Sequence, residues 1–320
     1  MPDGVDIGQC VYGPVPSRRL GRSLGVDLVP FKTCTFDCVY CQLGRTTDLR
    51  VRRQAWVDPK DVLRRVRERL VAEPDIITIA GSGEPTLHEG LGEVVRGIKA
   101  MTDIPVAVLT NGSLLGEAAV QRDLAEADIV IPSLDAPDEG LFRLVNRPHP
   151  SLWLTGILDG MVAFRQAYRG RIWLEVMVLG GVTGMKSEVR RLAAVAARIR
   201  PDRIQLNTVV RPPAESFASP VSGPRLDEFA AAFVPVAEVV APAALSTTGL
   251  AVDKEDVLAL IAHRPCTVDD VAAGLGIHRG EALKALTALT AEGSAGHSLH
   301  EGRLFYAAAE AAASQVQEES

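Results

Sequence analysis

Between residues 23 and 240, short apolar runs alternate with longer segments whose apolar positions recur every three or four residues. The runs at 23–29, 75–80, 105–109, 128–132, 172–179 and 203–207 have the length of buried strands. The segments at 58–70, 90–101, 115–126, 151–168, 186–199 and 225–237 read as helices. Val62, Leu63, Val66 and Leu70 form one apolar stripe, and Val189, Leu192, Val195 and Ile199 form another. Asp58-Pro59 offers a carboxylate cap followed by a first-turn proline. Six strands alternating with helices predict a parallel sheet with crossover helices. Six units fall short of an eight-fold barrel, so the pattern admits an open doubly wound sheet or a partial barrel. In both, function gathers at the carboxyl ends of the strands.

The pattern also divides the chain. Residues 1–22 read as an N-terminal arm and 23–240 as the α/β domain. The Ala/Pro/Ser/Thr/Gly-rich stretch at 241–249 places a linker over 240–252. Beyond it come a helix at 256–262, a helix start at 267–270, a turn at 274–278 and a helix at 281–289. Two strands follow, at 295–299 and 303–306, around Glu301-Gly302. Helix, helix, turn, helix and hairpin predict a winged-helix domain over 253–306. The Ala/Gln/Glu/Ser-rich segment 307–320 reads as a disordered tail.

Composition narrows the function classes. With 47% hydrophobic and 23% charged residues, the chain is neither disordered nor fibrous. No apolar run approaches the ~18–20 residues of a membrane span. The first residues lack the basic and apolar regions of a secretory signal, so a cytoplasmic location without a membrane partner is expected. The net charge of −6 does not suit a general polyanion binder. The window 18–53 is the exception, with eight cations against three acids. Residues 253–306 carry five cations against eight acids, so duplex DNA is not the expected partner despite the winged-helix pattern.

Three of the five cysteines fall within eight positions, as Cys34-x3-Cys38-x2-Cys41. That spacing argues for metal or redox chemistry in a reducing compartment rather than for a disulfide scaffold. Soft thiolates select zinc, copper or iron–sulfur clusters. Structural zinc wants four protein ligands, and no fourth Cys or His lies nearby in sequence. Three thiolates on one loop suit three corners of a [4Fe–4S] cube with one iron left open.

The cysteine loop, with Tyr40 before its last cysteine, resembles that of radical S-adenosylmethionine (SAM) enzymes. The resemblance covers about residues 12–240 and selects the partial (β/α)6 TIM-like barrel. It implies one [4Fe–4S] cluster and S-adenosylmethionine as cofactors. Their chemistry is reductive cleavage of the sulfonium to a 5′-deoxyadenosyl radical, which abstracts hydrogen from a substrate. An external electron donor such as a flavodoxin or ferredoxin is implied. Gly81-Ser82-Gly83-Glu84 resembles the family's loop for the methionyl ammonium, with Glu84 as an acceptor and the glycines allowing positive φ and close approach. By the same resemblance Tyr40, Asn111, Ser133, Asp135, Val178 and Gln205 join the cofactor pocket. The segments at 12–25, 146–148 and 211–213 resemble a bacterial branch grouped with the wyosine-type tRNA synthases. Those proteins carry a second cysteine triad near the N-terminus, whereas this chain has only Cys10 there, and none of its six lysines sits at a predicted strand end as a pyruvate-binding amine.

Arg18, Arg19, Arg22, Arg45, Arg147 and Arg211, with Glu175 and Asn207, are the candidate substrate residues. Guanidinium forks of this kind suit a phosphate, a carboxylate or an RNA-related substrate. Two alternatives stand beside this reading. One is an activase or maturase whose winged helix holds a protein or peptide. The other is a non-catalytic iron–sulfur regulator that binds DNA.

Overall fold

The computed structural model describes residues 10–17, 19–240 and 254–309. The expected linker beyond Val240, residues 310–320 of the tail expected over 307–320, and Arg18 lie outside the described residues; residues 307 and 308, expected in that tail, close the last strand instead.

β1 (Val11–Ser17) and β2 (Gly21–Val26) form an antiparallel pair. The cysteine loop follows and carries the short parallel pair β3 (Thr33–Cys34) and β4 (Asp48–Leu49). Then come α1 (Pro59–Arg69), β5 (Ile76–Ile79), α2 (Leu91–Met101), β6 (Val106–Thr110), α3 (Ala118–Leu124) and β7 (Ile129–Pro132). They are followed by α4 (Glu139–Val145), α5 (Leu154–Ala167), β8 (Arg171–Met177), α6 (Lys186–Ile199), β9 (Arg203–Asn207), α7 (Gly223–Ala230) and β10 (Glu238–Val239). The sheet order is β1-β2-β5-β6-β7-β8-β9-β10, and all neighbours from β2 to β10 run parallel. A doubly wound sheet reverses its order at a switch point. Here the order follows the chain without reversal, which is barrel-type winding left open between β1 and β10.

Local chemistry explains the helices. The Asp58 carboxylate accepts the Lys60 N–H at 2.9 Å at the start of α1, and Val62 and Val66 are buried beneath it. On α6 the buried stripe is Val189, Leu192, Ala193, Ala196 and Ile199. The short α4, which the pattern did not announce, starts where the Asp138 carboxylate accepts the Leu141 N–H at 2.9 Å. Side chains alternate across the strands. Ile77, Ile79, Val106, Val108, Leu174 and Val176 join the main core with the helices. Ile76, Ala107, Ile129, Ile131 and Trp173 pack in a second cluster on the other face.

The C-terminal segment forms α8 (Lys254–His263), α9 (Val268–Leu275), α10 (Arg279–Ala291), β11 (Ala295–His300) and β12 (Arg303–Ala308), the strands pairing antiparallel. Thr267 and Asp270 make a reciprocal capping box at the start of α9. The core of this unit includes Val257, Leu260, Ile261, Val271 and Leu286, together with Val15 of β1. Val11, at the other end of β1, belongs to the main core. Residues 11–17 of the segment expected as an arm are therefore an edge strand shared between two cores, and residues 1–9 of it lie outside the described residues. Among the described residues no helix is long and apolar enough to cross a membrane.

Candidate active site

The three loop cysteines are half-buried between β2 and α1. Each sulfur has a donor from a different segment. Asn111 Nδ2, just past β6, lies 3.6 Å from Cys34 Sγ; Asn146 Nδ2, at the end of α4, lies 3.5 Å from Cys38 Sγ; Lys32 Nζ donates to Cys41 Sγ at 3.1 Å. Burial, with the Glu84 charge, pushes the Cys34 thiol up to about 12, and burial with Asp135 holds Cys38 well above its usual range. Thiols so desolvated stay protonated at neutral pH unless a metal takes the proton's place. The donor set therefore fits a buried thiolate-bound cluster. Among the described residues no three His, Cys, Asp or Glu side chains are gathered to hold a single ion. Cys10 and Cys266 lie in the two hydrophobic cores.

Lys32 is 3% exposed and has φ +57°. Its N–H donates to Ser82 O at 2.9 Å, tying the cysteine loop to the glycine loop after β5. Burial pulls its ammonium down, but the cysteine sulfurs, Cys41 foremost, push it up and prevail.

The glycine loop is held by Asp27, at the end of β2, whose Oδ2 accepts from Ser82 N at 2.8 Å and Ser82 Oγ at 2.7 Å. A Cβ at Gly81 would stand 2.1 Å from Asp27 Cγ, and one at Gly83 would stand 2.0 Å from Thr33 O. Neither glycine has positive φ. Close approach, not handedness, demands them. Glu84 is buried, accepting from Thr110 Oγ1 at 2.6 Å, Asn111 N at 2.7 Å and Thr86 N at 3.0 Å. Burial raises its carboxyl and these bonds pull it back. Its acceptor capacity is spent joining the β5 and β6 loops, so it braces the glycine loop from behind.

A cavity of ≈ 330 Å³ opens at the carboxyl ends of the strands. Cys41, Tyr40, Gly81, Glu175 and Asn207 line it together with Arg19, Arg211 and Arg264. Asn207 Nδ2 donates to Glu175 Oε1 at 2.5 Å, while Asn207 Oδ1 is buried without a partner. Arg19 pairs with Glu175 and reaches Gln205 Oε1 at 3.5 Å. Tyr40 OH donates to Asp135 Oδ2 at 2.5 Å; Asp135 also accepts from Asn146 Nδ2 at 2.8 Å and Met177 N at 2.9 Å. Burial raises the Asp135 carboxyl against those bonds. Asp135 is thus a hub that locks the cysteine loop onto β8. Ser133 and Asn111 line a separate recess of ≈ 10 Å³.

Several expected residues stand elsewhere. Val178 is in the core and its N–H is spent on Asn207 O at 2.8 Å; Met177, Thr208 and Val209 line the cavity in its place. Arg22 reaches the Glu73 and Ala72 carbonyls at an exposed edge. Arg45 and Arg147 share Glu215 and Asp37 and do not line the cavity. Lys32, Asn146 and Arg264 were not anticipated as site residues. Lys32 stands two positions before the first cysteine and Asn146 in a segment already singled out, whereas nothing in the sequence marks Arg264.

The profile of the Radical SAM superfamily matches residues 28–204. A Brachyspira hyodysenteriae protein named GTPase Obg is 33% identical over 306 residues, covering 93% of this chain and 45% of that protein. A UPF0026 protein of Methanocaldococcus jannaschii is 39% identical over 213 residues, covering 65% of this chain and 66% of that one. The chain thus spans under half of the first relative and just under two thirds of the second. It contains no Gly-Lys dipeptide, hence no Gly-x4-Gly-Lys-Ser/Thr phosphate loop, and the GTPase name stays with the Brachyspira protein. A radical SAM methyltransferase from Sphaerobacter thermophilus shares the fold, with a TM-score of 0.52 at 18% identity over 68% of this chain and 65% of that chain. The matched region runs from the end of β2 through the cysteine loop into β9, more than half of the sequence, and this chain belongs to the radical SAM superfamily of iron–sulfur enzymes.

Proposed function

We propose that Cys34, Cys38 and Cys41 hold one [4Fe–4S] cluster with an iron open to S-adenosylmethionine, and that the adjoining cavity takes the cofactor and a substrate. The observation that carries this reading is the set of three sulfurs from one loop, each facing its own donor, at the edge of a cavity of small-molecule size. When bound, the cluster would supply one electron to the sulfonium, splitting it into methionine and a 5′-deoxyadenosyl radical able to take hydrogen from a substrate.

The chain's own residues hold, orient and shield. The Gly81–Glu84 loop offers backbone carbonyls to the methionyl ammonium, with Glu84 and Asp27 keeping that backbone in place. Asn207 Oδ1, buried and unpartnered, offers an acceptor to the adenine amino group or a ribose hydroxyl. Tyr40 and Asp135 hold the last turn of the cysteine loop against β8, which keeps water from the sulfurs. Radical SAM enzymes need an external reductant, and a flavodoxin or ferredoxin is the donor proposed. The three guanidinium groups in the lining favour an anionic substrate. The C-terminal helices and hairpin follow a winged-helix layout, and their excess of acids supports a role at the cavity over DNA binding.

The test is anaerobic reconstitution with iron and sulfide, followed by dithionite and S-adenosylmethionine. Release of 5′-deoxyadenosine and methionine is expected. A reconstituted protein that leaves S-adenosylmethionine intact would remove the proposal.

A further inference from the structure

We infer that Arg264, on the loop after α8, is the specificity-determining residue of the cavity, and that it binds an oxyanion of the substrate, a phosphate or a carboxylate. This rests on reading the cavity as the cofactor and substrate site.

Three arginines and one glutamate line the cavity, and Asp270, 4.0 Å from Arg211, also feels the Arg264 charge, so one positive charge is left over. Two of the arginines are already engaged. Arg19 is paired with Glu175. Arg211 donates its Nε to Pro265 O at 2.9 Å and stands 4.0 Å from Asp270. Arg264 differs from both, since its Nε is buried without a hydrogen-bond partner. A buried donor left unmade is costly, of the order of 1–3 kcal/mol, and an arginine that lines a cavity with a donor unspent is a binding element for a planar or tetrahedral anion. Like-charge crowding points the same way: burial first, then the neighbouring Arg264 charge, pushes Arg211 below the usual guanidinium range.

The backbone around Arg264 is fixed independently of any ligand. Pro265 O is held by Arg211, and Cys266 exchanges both backbone hydrogen bonds with Tyr306 of β12, at 2.9 and 2.7 Å. One residue before Arg264, the His263 ring stacks on Tyr12 at 3.7 Å and stands 3.6 Å from Asp27, the residue that holds the glycine loop. The C-terminal unit thus touches both sides of the site, completing the cavity wall with Arg264 and abutting the cofactor loop through His263.

The experiment titrates inorganic phosphate and, separately, malonate by calorimetry at low ionic strength. The protein is the full chain, reconstituted and saturated with S-adenosylmethionine, as wild type, Arg264→Met and Arg264→Lys. One of the two anions is expected to bind saturably at one site. Arg264→Met is expected to weaken it about ten- to hundredfold, with Arg264→Lys between the two. Phosphate preference assigns a phosphorylated substrate group, and malonate preference a carboxylate. Equal affinity in wild type and Arg264→Met at an unchanged melting temperature overturns the inference, as does the absence of binding by either anion. Anion binding by protein free of S-adenosylmethionine that vanishes in the saturated protein also overturns it, because Arg264 then serves the cofactor's own carboxylate. The deoxyadenosine assay uses wild-type protein alone. Its failure with anion binding intact removes the cofactor reading and leaves the Arg264 site standing.

Discussion

Two parts of the cavity lining are built in opposite ways. The sulfur wall is one continuous loop of eight residues from Cys34 to Cys41, fixed by donors from the ends of neighbouring elements and by Asp135 beneath it. The guanidinium wall is assembled from three chain segments, with Arg19 after β1, Arg211 after β9 and Arg264 after α8. A wall of one loop with many cross-braces suits a partner of fixed shape, the cluster and its cofactor. A wall of separate segments comes together only in the folded chain, and Arg211 ties it to Arg264 through the Pro265 carbonyl. The difference teaches that the sulfurs are gathered by sequence while the arginines are gathered by the fold.

The contrast predicts unequal responses to substitution. The largest belongs to the sulfur wall: Cys38→Ala is expected to lose the cluster, with reconstituted iron falling from about four per chain toward zero and deoxyadenosine formation with it. Retention of a stable four-iron cluster would show that the sulfurs do not hold it together. A graded response is expected one step back. Lys32→Met removes a buried donor and a positive charge from Cys41 and should lower the cluster's midpoint potential by about 60 mV, the one-electron equivalent of about 1.4 kcal/mol. A redox titration followed by electron paramagnetic resonance reads it, and an unchanged potential would make Lys32 a purely structural brace.

A third effect, on stability alone, lies outside both walls. His88 is fully buried, and burial foremost lowers its pKa to about 4 from an ordinary 6.5. The unfolded chain therefore binds the extra proton first. The stability His88 contributes is complete above about pH 6.5 and is lost as pH falls toward 4, by about 3 kcal/mol in all. Urea titrations across that range should show a shallower loss in His88→Gln than in the wild type. Equal slopes would place the acid sensitivity in another group.

The same division decides how much was legible in the sequence. The cysteine spacing, the Asp58-Pro59 helix start and the Thr267–Asp270 capping box are local, and each is written within a few residues. The parallel strands were readable from their apolar runs, since burial on both faces removes polar positions. β1 was hidden by Pro14 and Pro16, residues a strand tolerates at a sheet edge, where a missing N–H costs no ladder bond. Arg264 and Lys32 were hidden for another reason. The role of Arg264 exists only because the C-terminal unit packs on β1, more than two hundred residues away. That of Lys32 exists because its side chain folds back onto Cys41. Arginine count alone misled: Arg45 and Arg147 neutralise Glu215 and Asp37 instead of lining the cavity.

The central claim is that three sulfurs from one loop leave one iron open to the cofactor. Electron paramagnetic resonance of the reconstituted, dithionite-reduced protein, before and after S-adenosylmethionine is added, tests it most directly. The account predicts the signal of a reduced four-iron cluster whose g values shift on addition, because the cofactor's amino and carboxylate groups bind that iron. A four-iron signal that S-adenosylmethionine leaves unchanged, or a protein that takes up zinc in place of iron, would contradict it.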